Sequence, residues 1–187
     1  IQIVAGASGF SKIADLSESE RAEFIKELDV LSYADVLIID TGAGVSQNVL
    51  DFIVAADEAV IITTPEPTAI TDAYGIIKII ATEINSPTLE LKLVVNRVNN
   101  VLEGRKVAER VINIASQFLN IKVDNLGMIY DDPIVSQGVI KQTPFLYLDP
   151  KSKAAISLKH IVSRLEGIDY KEGGGMKNFM VKLLGLK

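Results

Sequence analysis

The 187-residue sequence has no cysteine, which excludes disulfides and thiolate metal sites and suits a cytoplasmic protein. It has one histidine, His160, so a histidine-based metal cluster is excluded. His160 falls in an amphipathic stretch, where a structural role is favoured over a catalytic one. No apolar run approaches the roughly 20 residues that span a bilayer, and no internal repeat is visible. Basic residues are not in excess: 19 Lys and Arg stand against 24 Asp and Glu, a net charge of −5, so there is no general footprint for nucleic acid. The charged n-region of a secretory signal is missing too. The apolar run Ile1–Ala5 reads as a strand and leads into Gly6-Ala7-Ser8-Gly9 as it would into a phosphate loop. Phe10-Ser11-Lys12 follows, however, where that motif needs Gly-Lys-[Ser/Thr]. Beginning at Ile1 on an apolar run, the chain reads as a piece of something longer.

What is present is a globular composition, 48% hydrophobic and 23% charged, long enough for a substantial core. Capping-box spacing at Ser17–Glu20 precedes Phe24, Ile25, Leu28 and Leu31 at helical intervals. Val49, Leu50, Ile53 and Val54 line a short helix. Ala59–Thr63 reads as a buried strand closed by Thr64-Pro65-Glu66-Pro67, and Ala69 to Ile84 as a long amphipathic helix. Leu91–Asn96 and Asn125–Tyr130 are further strands, separated by helical spacing over Glu103–Leu119. Asp132-Pro133 opens a short helix with a preferred cap and a proline at the first position. Ala154, Leu158, Ile161, Val162 and Leu165 mark a last core-facing helix. This alternation predicts an α/β fold, a mostly parallel sheet with helices on both faces and right-handed crossovers.

Two stretches bear on chemistry. In Asp35-Val36-Leu37-Ile38-Ile39-Asp40-Thr41-Gly42-Ala43-Gly44, four apolar residues between aspartates read as a central strand buried on both faces. Asp40 then sits at its carboxyl end, where open α/β sheets bind ligands. A carboxylate there, followed by glycines that let backbone N–H groups approach an anion, suits a hydrated divalent ion beside a phosphate chain. A buried strand ending in an N-cap Asp and a tight turn has the same pattern. Asn96-Arg97-Val98-Asn99 ends another strand. An Asn at that edge offers a donor and an acceptor to a purine, and Asn99 stands where guanine-selecting sites place a carboxylate, which favours adenine. A strand-terminating Asn explains Asn96 equally well, and the cap-before-proline explains Asp132 of the pair Asp131-Asp132.

After Leu165 the composition changes. Gly173-Gly174-Gly175 forms a hinge, and Met176, Phe179, Met180, Leu183 and Leu184 then recur at i, i+3, i+4, i+7 and i+8. Lys177, Lys182 and Lys187 give these twelve residues +3, against −8 for the rest of the −5 total. A short basic amphipathic helix on a glycine tether suits the interface of an anionic membrane; docking on the body or on a partner is the alternative.

Asp40-Thr41-Gly42-Ala43-Gly44, Thr64-Pro65-Glu66, Asn96-Arg97 and the tethered basic helix, in this order, resemble the MinD/ParA family of P-loop ATPases. Thr41-Gly42, Pro144-Phe145 and Asp149-Pro150 incline the resemblance to its flagellar FlhG group rather than to division-site MinD. The family's deviant Walker A loop and first strand have no counterpart here, so the P-loop fold is expected to be incomplete at its N-terminus. The organisation expected is residues 1–167 as the C-terminal part of the ATPase domain, 168–175 as linker and 176–187 as membrane-targeting helix. The resemblance implies ATP/ADP and Mg²⁺ as cofactors. Asp40 would be the Walker B carboxylate holding Mg²⁺ through water, and Thr41, Gly42 and Gly44 the γ-phosphate-sensing switch. Asn96, Arg97, Tyr130, Asp131 and Val135 would lie around the nucleotide base, and Pro65, Glu66 and Asp72 near the dimer face. It also implies an ATP-bound homodimer attached peripherally to the inner face of the cell membrane, with the GTPase FlhF and flagellar switch proteins as partners and no nucleic acid. A division-site ATPase and a non-catalytic membrane-tethered interaction module are the competing readings. A DNA-partitioning ParA-type protein is disfavoured by the acidic balance and the tail, and the iron–sulfur carriers of the family by the lack of cysteine.

Overall fold

The computed structural model describes residues 31–42, 44, 46–84 and 88–166, with Ile3, Ser17, Ser19, Glu23 and Lys26 as single positions. The expected strand Ile1–Ala5, most of the first helix, Ala43, the glycine hinge and the helix at 176–187 lie outside the described residues. Two compact units meet in sequence between Asp57 and Glu58, and each is taken by itself.

In the first unit, Ala34 N donates to Leu31 O at 3.0 Å to close a turn. Residues 36–42 have no regular secondary structure, and Val36, Leu37 and Ile38 are 56%, 40% and 85% exposed. The buried central strand expected over Asp35–Asp40 is therefore not formed. A strand buried on both faces needs a hydrogen-bonded neighbour and cover on each face, and no ladder includes this segment among the described residues. Helix α1, Gln47–Ala55, follows as expected; Val49, Leu50, Ile53 and Val54 are half-buried and Ala55 fully buried. Ala56 N closes it on Phe52 O.

The second unit holds strands β1 (Glu58–Thr63), β2 (Glu90–Val98) and β3 (Val123–Tyr130), in that order in space and all parallel. Parallel neighbours require crossovers. Helix α2 (Pro67–Glu83) makes the first and α3 (Val101–Leu119) the second; α4 (Pro133–Ile140), α5 (Phe145–Leu148) and α6 (Lys153–Glu166) complete the unit. With α1, three parallel strands and six helices are formed among the described residues, the α/β class expected.

Strand β2 is the centre: Leu91 to Val95 are buried consecutively. Side chains alternate between sheet faces, so such a run needs cover on both sides. On one face Val94, Leu126 and Ile161 form a core with Ile129 and Leu165, contributed by β2, β3 and α6. On the other, Gly104 of α3 lies so near the sheet that a Cβ there would be 2.6 Å from Met128 Sδ and 3.3 Å from Val98 Cγ1. Helices thus cover both faces, as expected. Among the described residues β1 and β3 are the outer strands, and Val60 and Ile62 of β1 are 43% and 64% exposed.

Two details of α6 differ from expectation. Val162 is exposed, while Ala155 and Ser157 are buried beside Ala154 and Ile161. The helix meets the sheet on a face shifted toward those small residues, which allow close approach. His160 is exposed on its outer side, so it has no core role. The short α5 was not indicated by periodicity, since four residues are too few to show one.

Candidate functional site

In an open parallel sheet the loops leaving the carboxyl ends of adjacent strands converge on one edge. Here these are Thr64–Glu66 after β1, Asn99–Asn100 after β2, whose last residues include Arg97, and Asp131–Asp132 after β3. They surround a cleft of about 350 Å³ lined by Thr64, Pro65, Glu66, Pro67, Arg97, Asn99 and Asp131.

Arg97 occupies the middle. Its backbone is left-handed, with φ at 57°, a conformation that costs a non-glycine residue roughly 1–2 kcal/mol. Asn96 Oδ1 accepts from Arg97 N at 2.9 Å and holds the bend. The Arg97 guanidinium lies between two carboxylates, Nη1 at 3.7 Å from Glu66 Oε1 and Nε at 3.8 Å from Asp131 Oδ1. All three side chains are more than half exposed and both distances exceed hydrogen-bond length, so the pairs orient the arginine without fixing it.

The flanks are firmer. Asn100 Oδ1 accepts from Glu103 N at 2.9 Å and caps α3, and Glu103 Oε2 accepts from Asn99 N at 2.7 Å and from Asn99 Nδ2 at 3.1 Å. Asn99 is thereby committed to the helix entry. Asp131 N donates to Val98 O at 3.0 Å, tying the end of β3 to the end of β2. The Asp132 carboxylate caps α4, accepting from Ile134 N at 3.1 Å, and also accepts from Ala154 N of α6 at 3.3 Å. Lys153 Nζ lies 5.9 Å from the Tyr130 ring centre, within cation–π range. Thr64 Oγ1 accepts from Glu66 N at 3.4 Å and shapes the turn after β1.

Of the residues singled out in the sequence, Pro65, Glu66, Arg97 and Asp131 share this cleft. Asn96 and Tyr130 are half-buried strand ends beside it, Val135 is half-buried on α4, and Asp72 is exposed on α2. Asp40, Thr41, Gly42 and Gly44 belong to the first unit, where all four are exposed. Gly44 has φ at +98°, a conformation side-chain-bearing residues rarely adopt, so the turn after Asp40 does need a glycine. Thr64 and Pro67 were not assigned to the site; the strand-then-Thr-Pro-Glu-Pro order was the available signal. Asn99, expected at the base-selecting position, lines the cleft with its amide nitrogen on Glu103. Lys153 gave none, because its partner lies in another element.

Mg²⁺ takes one or two carboxylates and keeps several waters, and an exposed single carboxylate such as Asp40 fits that demand. No group of three or more His, Asp or Glu side chains could hold a metal among the described residues. For nucleotide phosphates the sequence supplies no Gly-Lys-[Ser/Thr] loop.

No family model matches the chain. Among curated proteins it is 30% identical to the antiactivator FleN of Pseudomonas aeruginosa, over 89% of this chain and 59% of that protein. It is 34% identical to the flagellum site-determining protein YlxH of Helicobacter pylori, over 97% of this chain and 63% of that protein. These relatives support a MinD/ParA-family ATPase most like its flagellar FlhG group. The septum site-determining protein MinD of Bacillus subtilis, 33% identical, aligns over 71% of this chain and 47% of its own length. The fuller alignments are those with the flagellar proteins. Among solved structures, MinD of Aquifex aeolicus superposes with a TM-score of 0.63 at 21% identity, covering 83% of this chain and 63% of that one. MinD of Pyrococcus horikoshii, complexed with Mg-ADP, gives 0.59 at 19%, covering 79% and 57%. These likenesses establish a MinD/ParA-like fold. The chain spans about three fifths of the length of the FleN and YlxH proteins it matches.

Proposed function

We propose that this chain is the Walker B and base-side part of a MinD-like ATPase, a nucleotide-dependent, dimerising membrane switch that sets flagellar number or placement. The observation that carries the reading is the convergence of Thr64–Glu66, Arg97–Asn99 and Asp131 on one cleft at the carboxyl edge of a parallel sheet. It occurs in a chain alignable with FleN over 89% of its length.

Each residue has a stated task in this reading. Asn96 spends its Oδ1 on Arg97 N, so its Nδ2 is the group that donates to a ring nitrogen of adenine. Tyr130, Asp131 and Val135 flank the base. Asp40 holds Mg²⁺ through water, and the glycines at 42 and 44 let the following backbone move with the terminal phosphate. Held there, Mg²⁺ would supply charge neutralisation at the phosphates. Pro65, Glu66 and Asp72 face the second copy in the ATP-bound dimer. The helix at 176–187 provides attachment to an anionic membrane from the cytoplasmic side; no helix among the described residues is long and apolar enough to cross one. Proteins of the flagellar switch and the GTPase FlhF are the expected partners.

The test is equilibrium binding of ATP and ADP, with and without Mg²⁺, to residues 1–187 and to the chain together with whatever its gene encodes before Ile1. The chain by itself should show no turnover, because the lysines that neutralise transition-state charge are not in it. The extended protein should bind, with the Mg²⁺ dependence lost in Asp40→Ala. Failure of the extended protein to bind would leave an interaction module in place of a switch.

A further inference from the structure

Three consecutive residues, the last of β3 and the two after it, tie the strand's end to its surroundings. Tyr130 meets Lys153 at the start of α6, Asp131 meets Arg97 and Val98 at the end of β2, and Asp132 meets α4 and α6. The last of these is unusual in its economy. Helix α6 already has its own cap: Ser152 Oγ accepts from Ala155 N at 3.2 Å, and Ser152 O accepts from Ile156 N at 3.0 Å. A helix leaves four N–H groups without partners at its start, and Ala154 N is the one taken by a carboxylate 22 residues away. Local capping does not require this bond; its effect is to join the loop after β3 to α6. At its other end α6 is joined to the same strand, where Arg164 Nη1 donates to Leu126 O at 2.8 Å. Leu126 is where the β2–β3 register slips, Leu93 pairing Asn125 and Val94 pairing Gly127, and the freed carbonyl is the one the arginine takes. Gly127 lets Ile161 approach there, since a Cβ would lie 3.0 Å from Ile161 Cγ1.

We infer that Asp132 is a positioning residue: by binding the first turns of α4 and α6 together, it makes the Tyr130–Asp131 edge and α6 move as one body. Occupation of the edge is then felt along α6 to Glu166, the point from which the chain runs on to its basic tail. This rests on the nucleotide reading above.

The test is hydrogen exchange of the extended protein with Mg-ADP and Mg-ATP as probes. In the unaltered protein nucleotide should slow exchange at residues 96–98 and 130–131 and also at 154–157. Asp132→Asn keeps an oxygen for Ile134 N but turns an amide donor toward Ala154 N. It should keep the slowing at 96–98 and reduce that at 154–157 at least tenfold. Asp132→Ser, also a good cap but too short to reach α6, should behave alike and serves if the asparagine variant does not fold. Ser152→Ala is the control for helix fraying. It should speed exchange at the start of α6 without nucleotide yet leave the nucleotide-induced change there. Slowing at 154–157 that survives both Asp132 variants overturns the inference, as does slowing at the edge without any at α6 in the unaltered protein. No slowing at 96–98 or 130–131 in the unaltered protein overturns the nucleotide reading, and the inference with it.

Discussion

At Arg97 a backbone cost outweighs what the side chain returns. The left-handed backbone costs roughly 1–2 kcal/mol, and exposed ion pairs at 3.7 and 3.8 Å return well under about 1 kcal/mol. Arg97→Gly should therefore stabilise the protein by about 1 kcal/mol, read as a shifted urea midpoint, while Arg97→Ala should keep the strain and gain nothing. Glycines divide by the same reasoning. A Cβ at Gly75, within α2, would have nothing within 4 Å, so Gly75→Ala should stabilise by about 0.5–1 kcal/mol through lost unfolded-state freedom. A Cβ at Gly138 would lie 2.9 Å from Thr143 O, a backbone atom that cannot swing aside, so Gly138→Ala should destabilise by about 1–3 kcal/mol. At this scale the sequence was legible where a short-range rule applies. Asp132 before Pro133 announced a helix cap and is one. Its second bond, to Ala154, was illegible because it joins residues far apart in the chain, and Arg97's left-handed backbone because that conformation is favoured by glycine and asparagine, not arginine.

Among elements, the strands and crossover helices from Glu58 onward follow the apolar periodicity closely, because each finds its partners nearby in sequence. Asp35–Asp40 carries an equally strong signal and forms no strand. Four apolar residues in a row state that burial is required, but not which neighbour provides it. The sheet's amino-terminal edge shows how alignment is set. Lys92, nearly buried, lies 2.7 Å from Glu58 and 3.5 Å from Glu90, at the start of the β1–β2 pairing. Its partners are 28% and 52% exposed and can be hydrated once it is removed, so losing Lys92 costs about 0.5–3 kcal/mol, mainly its packing and its bonds. Lys92→Ala should lower stability by about that amount, and Lys92→Met, which keeps the stem's packing, by less; thermal melts of the two variants give the comparison.

For the whole molecule, the exposed Val60 and Ile62 on an outer strand predict that residues 1–187 associate as concentration rises, since an uncovered apolar edge strand templates contact. Sedimentation velocity should show heavier species that Val60→Lys with Ile62→Lys reduces. The tail makes a separate prediction: Phe179→Glu with Leu183→Glu should end cosedimentation with anionic liposomes and leave the melting temperature unchanged. Unchanged cosedimentation would assign the tail to a protein partner. The fold class could be read from the chain because its helices and strands alternate regularly. The geometry of the cleft could not, since it depends on three loops brought together only by the sheet. The strand order has a consequence for synthesis. β1 pairs β2 and β2 pairs β3, each closing a loop of about 30 residues. The second unit can therefore assemble in the order it leaves the ribosome, each strand docking on one already made. Helix α6 is made last, and until it has left the ribosome the face of the finished sheet that carries Val94 and Leu126 stays bare to chaperones.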